Sequence, residues 1–158
     1  MNDCYPKGLY EDIPFEKYKK IDAVNNSRLT RLDKCPAAAL VEQEDTPSLL
    51  LGRAVHTLVL EGAEAFQKEF AVAPACDKRT KAGKDLFASF QVENLGKLVL
   101  SIDEGEQVEA IRNAVFTHPF AKKILSTGKA EQTIIWDDEE SGLKCKGRID
   151  WMPAGSNG

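Results

Sequence analysis

A chain of 158 residues with 42% apolar side chains is one domain, or part of one, with enough apolar surface for a real core. Its formal net charge of −4 argues against an indiscriminate polyanion binder, while leaving room for a local basic groove. No apolar run reaches membrane-spanning length and the N-terminus is too polar for a secretory signal, which implies a soluble, cytoplasmic protein with no membrane partner.

Residues 1–25 are rich in Tyr, Pro and charge, with scattered apolar positions such as Leu9, Ile13 and Phe15, and read as an extended arm lying on the domain. Asn26 or Ser27 then caps a short helix over 28–34, with Leu29 and Leu32 as its buried side, and Pro36 interrupts the pattern. Helix resumes over 36–44, and 42–47 is a polar break. Residues 48–62 are the most apolar stretch (Leu49, Leu50, Leu51, Val55, Leu58, Val59, Leu60), the pattern of a buried helix that Gly62 ends. His56 sits inside it, and a histidine on an apolar helix is by itself more often a core residue than a ligand.

The spacing predicts a short strand over 66–72. Residues 77–84 then hold Asp77, Lys78, Arg79, Thr80, Lys81, Gly83 and Lys84, a cation cluster at a helix start that is either solvated or made to meet phosphate. Leu86, Phe87 and Phe90 continue as an amphipathic helix, and 95–100 is a connection. A further helix over 102–113 carries Asp103, Glu104 and Glu106 in its first turn, suited to the positive end of the helix dipole. His118, directly before Pro119, reads as structural or capping, and a last short helix over 120–125 is ended by Gly128. Cys4, Cys35, Cys76 and Cys145 lie far apart, with no C-x-x-C pair, and read as independent reduced thiols.

The chain closes on a hairpin: a β-branched segment over 131–136, an acidic turn over 137–142, and an alternating segment over 143–151. Leu143, Cys145, Gly147 and Ile149 point one way and Lys144, Lys146, Arg148 and Asp150 the other, which predicts one packed apolar face and one charged face. Helices followed by a hairpin give an α+β class, an α/β variant with helices packed on a small mixed sheet.

Four segments together resemble one family. Leu51-Gly52-Arg53-Ala54-Val55-His56 resembles the L-G-x-A-x-H helix of one branch of the PD-(D/E)XK nuclease superfamily. Residues 77–84 resemble the R-T-K-x-G-K loop of RecE-type exonucleases, and 131–150 resemble their strand pair, with Lys146, Arg148 and Asp150 in register. Ser27, Leu29 and Cys35-Pro36 resemble the family's opening helix, with Cys35 in place of a serine.

The resemblance implies a restriction-endonuclease-like core and a metal-dependent exonuclease that degrades linear double-stranded DNA from its 5′ end in phage-type recombination. It implies His56 and Asp150 as ligands of Mg²⁺, or of Mn²⁺, and Glu131 with Asp150 as the catalytic acids. It assigns Arg79, Lys81, Lys84, Lys146 and Arg148 to DNA contact. Partners implied are double-stranded DNA ends, a single-strand annealing protein and a ring-shaped homo-oligomer. The superfamily's D/E-x-K strand has no counterpart after Asp150, so 26–158 is expected to be a C-terminally incomplete nuclease domain of weak or no activity. Two other readings compete: a non-catalytic DNA-binding or regulatory module on the same fold, and a CRISPR- or repair-associated nuclease. The dispersed cysteines count against the last, whose members often hold an iron–sulfur cluster.

Overall fold

The computed structural model describes residues 5–11, 13–37 and 46–155, so the helix expected over 36–44 lies outside the described residues from position 38 on. The chain divides into two compact units, residues 1–44 with 125–158, and residues 45–124.

In the first unit, β4 (Gly128–Asp137) and β5 (Lys144–Pro153) form the expected antiparallel hairpin. Its turn is held by Asp138, whose Oδ2 accepts from the Ser141 amide (2.9 Å) and hydroxyl (2.6 Å). Strand β1 (Gly8–Tyr10) pairs antiparallel with the other edge of β4, giving the order β1-β4-β5. Beyond β5, Val24 forms a parallel bridge: its N–H donates to Lys144 O (2.8 Å) and its carbonyl accepts from Lys146 N–H (2.7 Å). Helix α1 (Phe15–Lys20) and helix α2 (Asn26–Lys34) flank that bridge; α2 starts earlier than expected and is capped not by Asn26 or Ser27 but by Asn25, whose side chain accepts from Arg28 N–H (2.9 Å).

The core of this unit is Ile13, Tyr18, Ile21, Ala23 and Ile135. Among the described residues up to 25, the segment expected as an extended arm with little regular structure holds one strand and one helix, and Ile13, Tyr18 and Ile21 pack it against Ile135 of the sheet. The faces of β5 are also the reverse of those its polarity implies. Lys146 stands opposite the buried Ile135, and Arg148 opposite the buried Thr133. Leu143, by contrast, is 51% exposed. Strand alternation groups side chains by face, but cannot say which face is covered. Likewise Leu29 and Leu32 are 48% and 47% exposed, and α2 buries no residue. The spacing defined an apolar side, but among the described residues nothing in this unit buries it.

The second unit opens with α3 (Pro47–His56), whose N-cap Thr46 accepts from Leu49 N–H (3.3 Å) and whose first residue is proline. The helix then widens into a π turn, Thr57–Glu61, closed by Gly62 N–H donating to Thr57 O (2.9 Å). Gly62, at φ +94°, turns the chain into α4 (Ala63–Glu69). Strand β2 (Phe70–Val72) pairs in parallel with β3 (Leu98–Leu100), and between them lies α5 (Lys81–Glu93). Helix α6 (Ile102–Thr117) and helix α7 (Pro119–Ile124) complete the unit.

The core here is Ala54, Leu58, Phe70, Leu100 and Val108. Two expectations change. Of residues 66–72 only the last three are strand; Phe66 is helical and stacks on Phe70 with ring centroids 5.2 Å apart. The connection over 95–100 contains β3, whose partner is remote in sequence and so leaves no local trace. Helix α6 starts in a capping box: Ser101 Oγ accepts from Glu104 N–H (3.2 Å), while Glu104 Oε2 accepts from Ser101 N–H (2.7 Å). His118 is a capping residue, its Nδ1 accepting from Ala121 N–H (3.3 Å). Among the described residues no helix is long and apolar enough to cross a membrane. The fold is α+β, with helices packed on small sheets.

Candidate functional site

In the first unit, β5 carries Lys146, Arg148 and Asp150 on one face, and the three have different fates. Lys146 is 6% exposed. Its ammonium donates to Tyr18 O (2.8 Å), Ile21 O (2.8 Å) and Lys19 O (3.2 Å), the carbonyls at the C-terminal end of α1, and lies 4.8 Å from the Tyr18 ring centroid. Helix C-termini favour cations, and three acceptors offset the cost of taking the charge from water. Burial pushes the Lys146 pKa below the ordinary lysine value; Arg28 pushes the same way and Asp22 opposes. Arg148 forms an ion pair with Glu131, both side chains 17% exposed, and donates to Ile13 O (2.9 Å). Both cations expected to meet phosphate therefore face inward and hold the N-terminal segment on the sheet. The three carbonyls, supplied far along the chain by α1, outweigh the solvation a lysine usually seeks.

Asp150 is exposed, and it stands opposite Glu131 at a break in the hairpin ladder. Regular pairs flank that break on both sides, Ala130 with Trp151 and Gln132 with Ile149. Among the described residues Glu131 has the one positive φ outside glycine, +58°. A non-glycine residue in the left-handed region is strained, and such strain is concentrated at functional positions. The two acids of the expected site are thus brought to facing positions, with the Glu131 carboxylate already paired to Arg148.

In the second unit, His56 is the last residue of α3, half-buried, at the entry to the π turn. The turn places Glu61 beside it, with an imidazole nitrogen and a carboxylate oxygen within 4.8 Å. Sequence reasoning passed over Glu61. In an α-helix of 3.6 residues per turn, a residue five positions on lies about 140° around the axis. Only the π turn returns it to the face of His56. Arg53, on the same helix, forms an ion pair with Glu69 of α4.

The basic loop of this unit folds back on the start of α5. The Asp77 carboxylate accepts from the Arg79 guanidinium at 3.1 and 3.2 Å and from the Arg79 amide at 3.0 Å. The guanidinium first, then the amide, holds the Asp77 carboxyl below its usual range. Thr80 caps α5, its Oγ1 accepting from Gly83 N–H (3.0 Å) while its hydroxyl donates to Asp77 O (2.9 Å). Gly83 allows that fold: a Cβ there would lie 2.0 Å from Asp77 O. Lys78 covers the Phe87 ring, its ammonium 3.5 Å from the centroid. Lys81 and Lys84 stay exposed in the first turn of α5, which contains no acid. Cations at the positive end of a 13-residue helix repel its dipole and together favour an anion.

One imidazole and carboxylate oxygens form a donor set suited to a hard or borderline divalent ion, Mg²⁺ or Mn²⁺. The residues fit the metal that the sequence implies. Residues 25–157 match the family model described as PDDEXK-like domain of unknown function (DUF3799). No curated protein matches the chain.

Proposed function

The chain belongs to that PDDEXK-like family, within the PD-(D/E)XK nuclease superfamily, and on this premise we propose that it is a metal-dependent deoxyribonuclease of RecE type, acting 5′ to 3′ on linear double-stranded DNA. The observation that carries the reading is the family match over 25–157, a span that contains His56, the loop 77–84 and Asp150, the segments that resemble RecE-type motifs.

In this reading His56 and Asp150 are ligands of a divalent ion, as the family resemblance implies. The ion, when bound, lowers the pKa of a water and polarises a phosphoryl oxygen. Asp150 and Glu131 supply the acidic groups facing each other at the ladder break, with Arg148 fixing Glu131. Lys81 and Lys84, with Arg79 clipped to Asp77, bind backbone phosphates, where the helix N-terminus adds to their charge. Lys146 and Arg148 anchor the N-terminal segment and carry no DNA contact. Partners in this role are DNA ends, a single-strand annealing protein and further copies of the chain in a ring.

Incubation with 5′-labelled linear duplex and Mg²⁺ or Mn²⁺ tests the reading, with covalently closed circles as the control. Weak release of 5′ label from the linear form alone, abolished in Asp150→Ala, is the expected result. One observation favours a second reading: Lys146 and Arg148 are both committed to internal partners. DNA binding without cleavage under either metal would overturn the nuclease and favour a non-catalytic DNA-binding module.

A further inference from the structure

The π turn after His56 is the feature that neither the family resemblance nor the helical pattern accounts for. A π turn is rare, appears mostly as a single widened turn in an α-helix, and is frequent at functional sites. Here the interruption lies between two potential ligands. Thr57 O accepts from Gly62 N–H at 2.9 Å, five residues on, and Glu61 is the last residue of that widened turn. Thr57 and Leu58 within the turn are buried at 2% and 3% exposure, so packing holds its register. His56 is half-buried and Glu61 exposed, so the pair sits at the surface of its unit with a path to solvent.

We propose that Glu61 is a metal ligand alongside His56, the two forming an imidazole–carboxylate pair that the π turn assembles on one chain segment. The proposal rests on the nuclease reading for the role of the ion, but its geometry belongs to residues 56–61 alone. Ligand atoms bound to one ion at about 2.1 Å stand roughly 3 Å apart when adjacent and about 4 Å apart when opposed. The His56 and Glu61 atoms, within 4.8 Å, need only small rotamer changes to reach that span. An imidazole beside a carboxylate raises affinity for Mn²⁺ over Mg²⁺, because nitrogen ligands suit the transition ion. That preference comes from His56, while the Glu61 carboxylate suits either ion.

The test is Mn²⁺ binding, followed by the loss of the free-ion paramagnetic resonance signal, on wild type, His56→Ala, Glu61→Gln and Glu61→Asp. Circular dichroism melting of each variant checks that the fold is kept. Glu61→Gln should weaken Mn²⁺ binding at least tenfold at an unchanged melting temperature. Glu61→Asp should recover part of the loss. Binding by Glu61→Gln within twofold of wild type, with His56→Ala defective, overturns the Glu61 assignment and leaves the nuclease reading standing. Wild-type Mn²⁺ binding that depends on Glu61 but supports no DNA cleavage does the opposite.

Discussion

The chain carries two clusters of cations that look alike as sequence and behave as opposites. Lys146 and Arg148 on β5 are buried among carbonyls and a carboxylate, while Lys81 and Lys84 at the start of α5 face solvent. Both clusters read as phosphate contacts, because charge in a sequence is visible and its partner is not. What separates them is what the chain folds against each. Helix α1 ends over β5 and presents three acceptors to one ammonium, whereas the loop before α5 turns away and leaves two ammonium groups at a helix dipole of the same sign. The first arrangement stabilises the fold; the second costs stability and is repaid only by an anion.

The largest effect should follow from breaking the buried cluster. Lys146→Met removes three hydrogen bonds from an ammonium, with Tyr18 O and Ile21 O keeping only their backbone donors, and should cost roughly 2–3 kcal/mol, read by urea denaturation. Burial lowers the folded Lys146 pKa, so above it the folded form binds fewer protons than the unfolded chain and stability rises with pH towards the ordinary lysine value. The gap between wild type and Lys146→Met should therefore widen as pH climbs through that window. A gap that is flat in pH would show that the ammonium is not desolvated.

Next in size is Gly83→Ala, which sets a methyl group 2.0 Å from Asp77 O and must open the loop. About 1–3 kcal/mol of destabilisation is expected, together with weaker DNA binding, because Arg79 and Thr80 lose their clip. Retention of full DNA affinity would mean that the loop's shape is irrelevant to its cations. The smallest effect on stability belongs to Lys81→Gln and Lys84→Gln, each within about 0.5 kcal/mol of wild type. Their signature is in DNA binding: each should flatten the log–log salt dependence by about one unit. An unchanged salt slope in the double variant would remove the loop from the DNA interface.

Much of the architecture was legible before the structure. The hairpin and its acidic turn, the buried helix ending at Gly62, the acid-headed helix and the capping role of His118 all follow from local rules, and each is seen. His56, Asp150 and the loop 77–84 stood out only through the family resemblance of the motifs that contain them. Leu29 and Leu32 show the limit, since an apolar stripe states a preference and not a partner. Glu61 shows another: its nearness to His56 comes from one widened turn, invisible to a period of 3.6.

The sequence by itself determined the longer helices, the final strand pair and the residue types of a nuclease family, because backbone preference and donor chemistry act over a few residues. Only the tertiary structure decided that Lys146 and Arg148 turn inward, that the N-terminal residues are a structural strand and helix, and that Glu131 takes a strained backbone opposite Asp150. The physical reason is common to all three. Each depends on groups remote in the chain whose combined hydrogen bonds and burial override the local preference of the residue concerned.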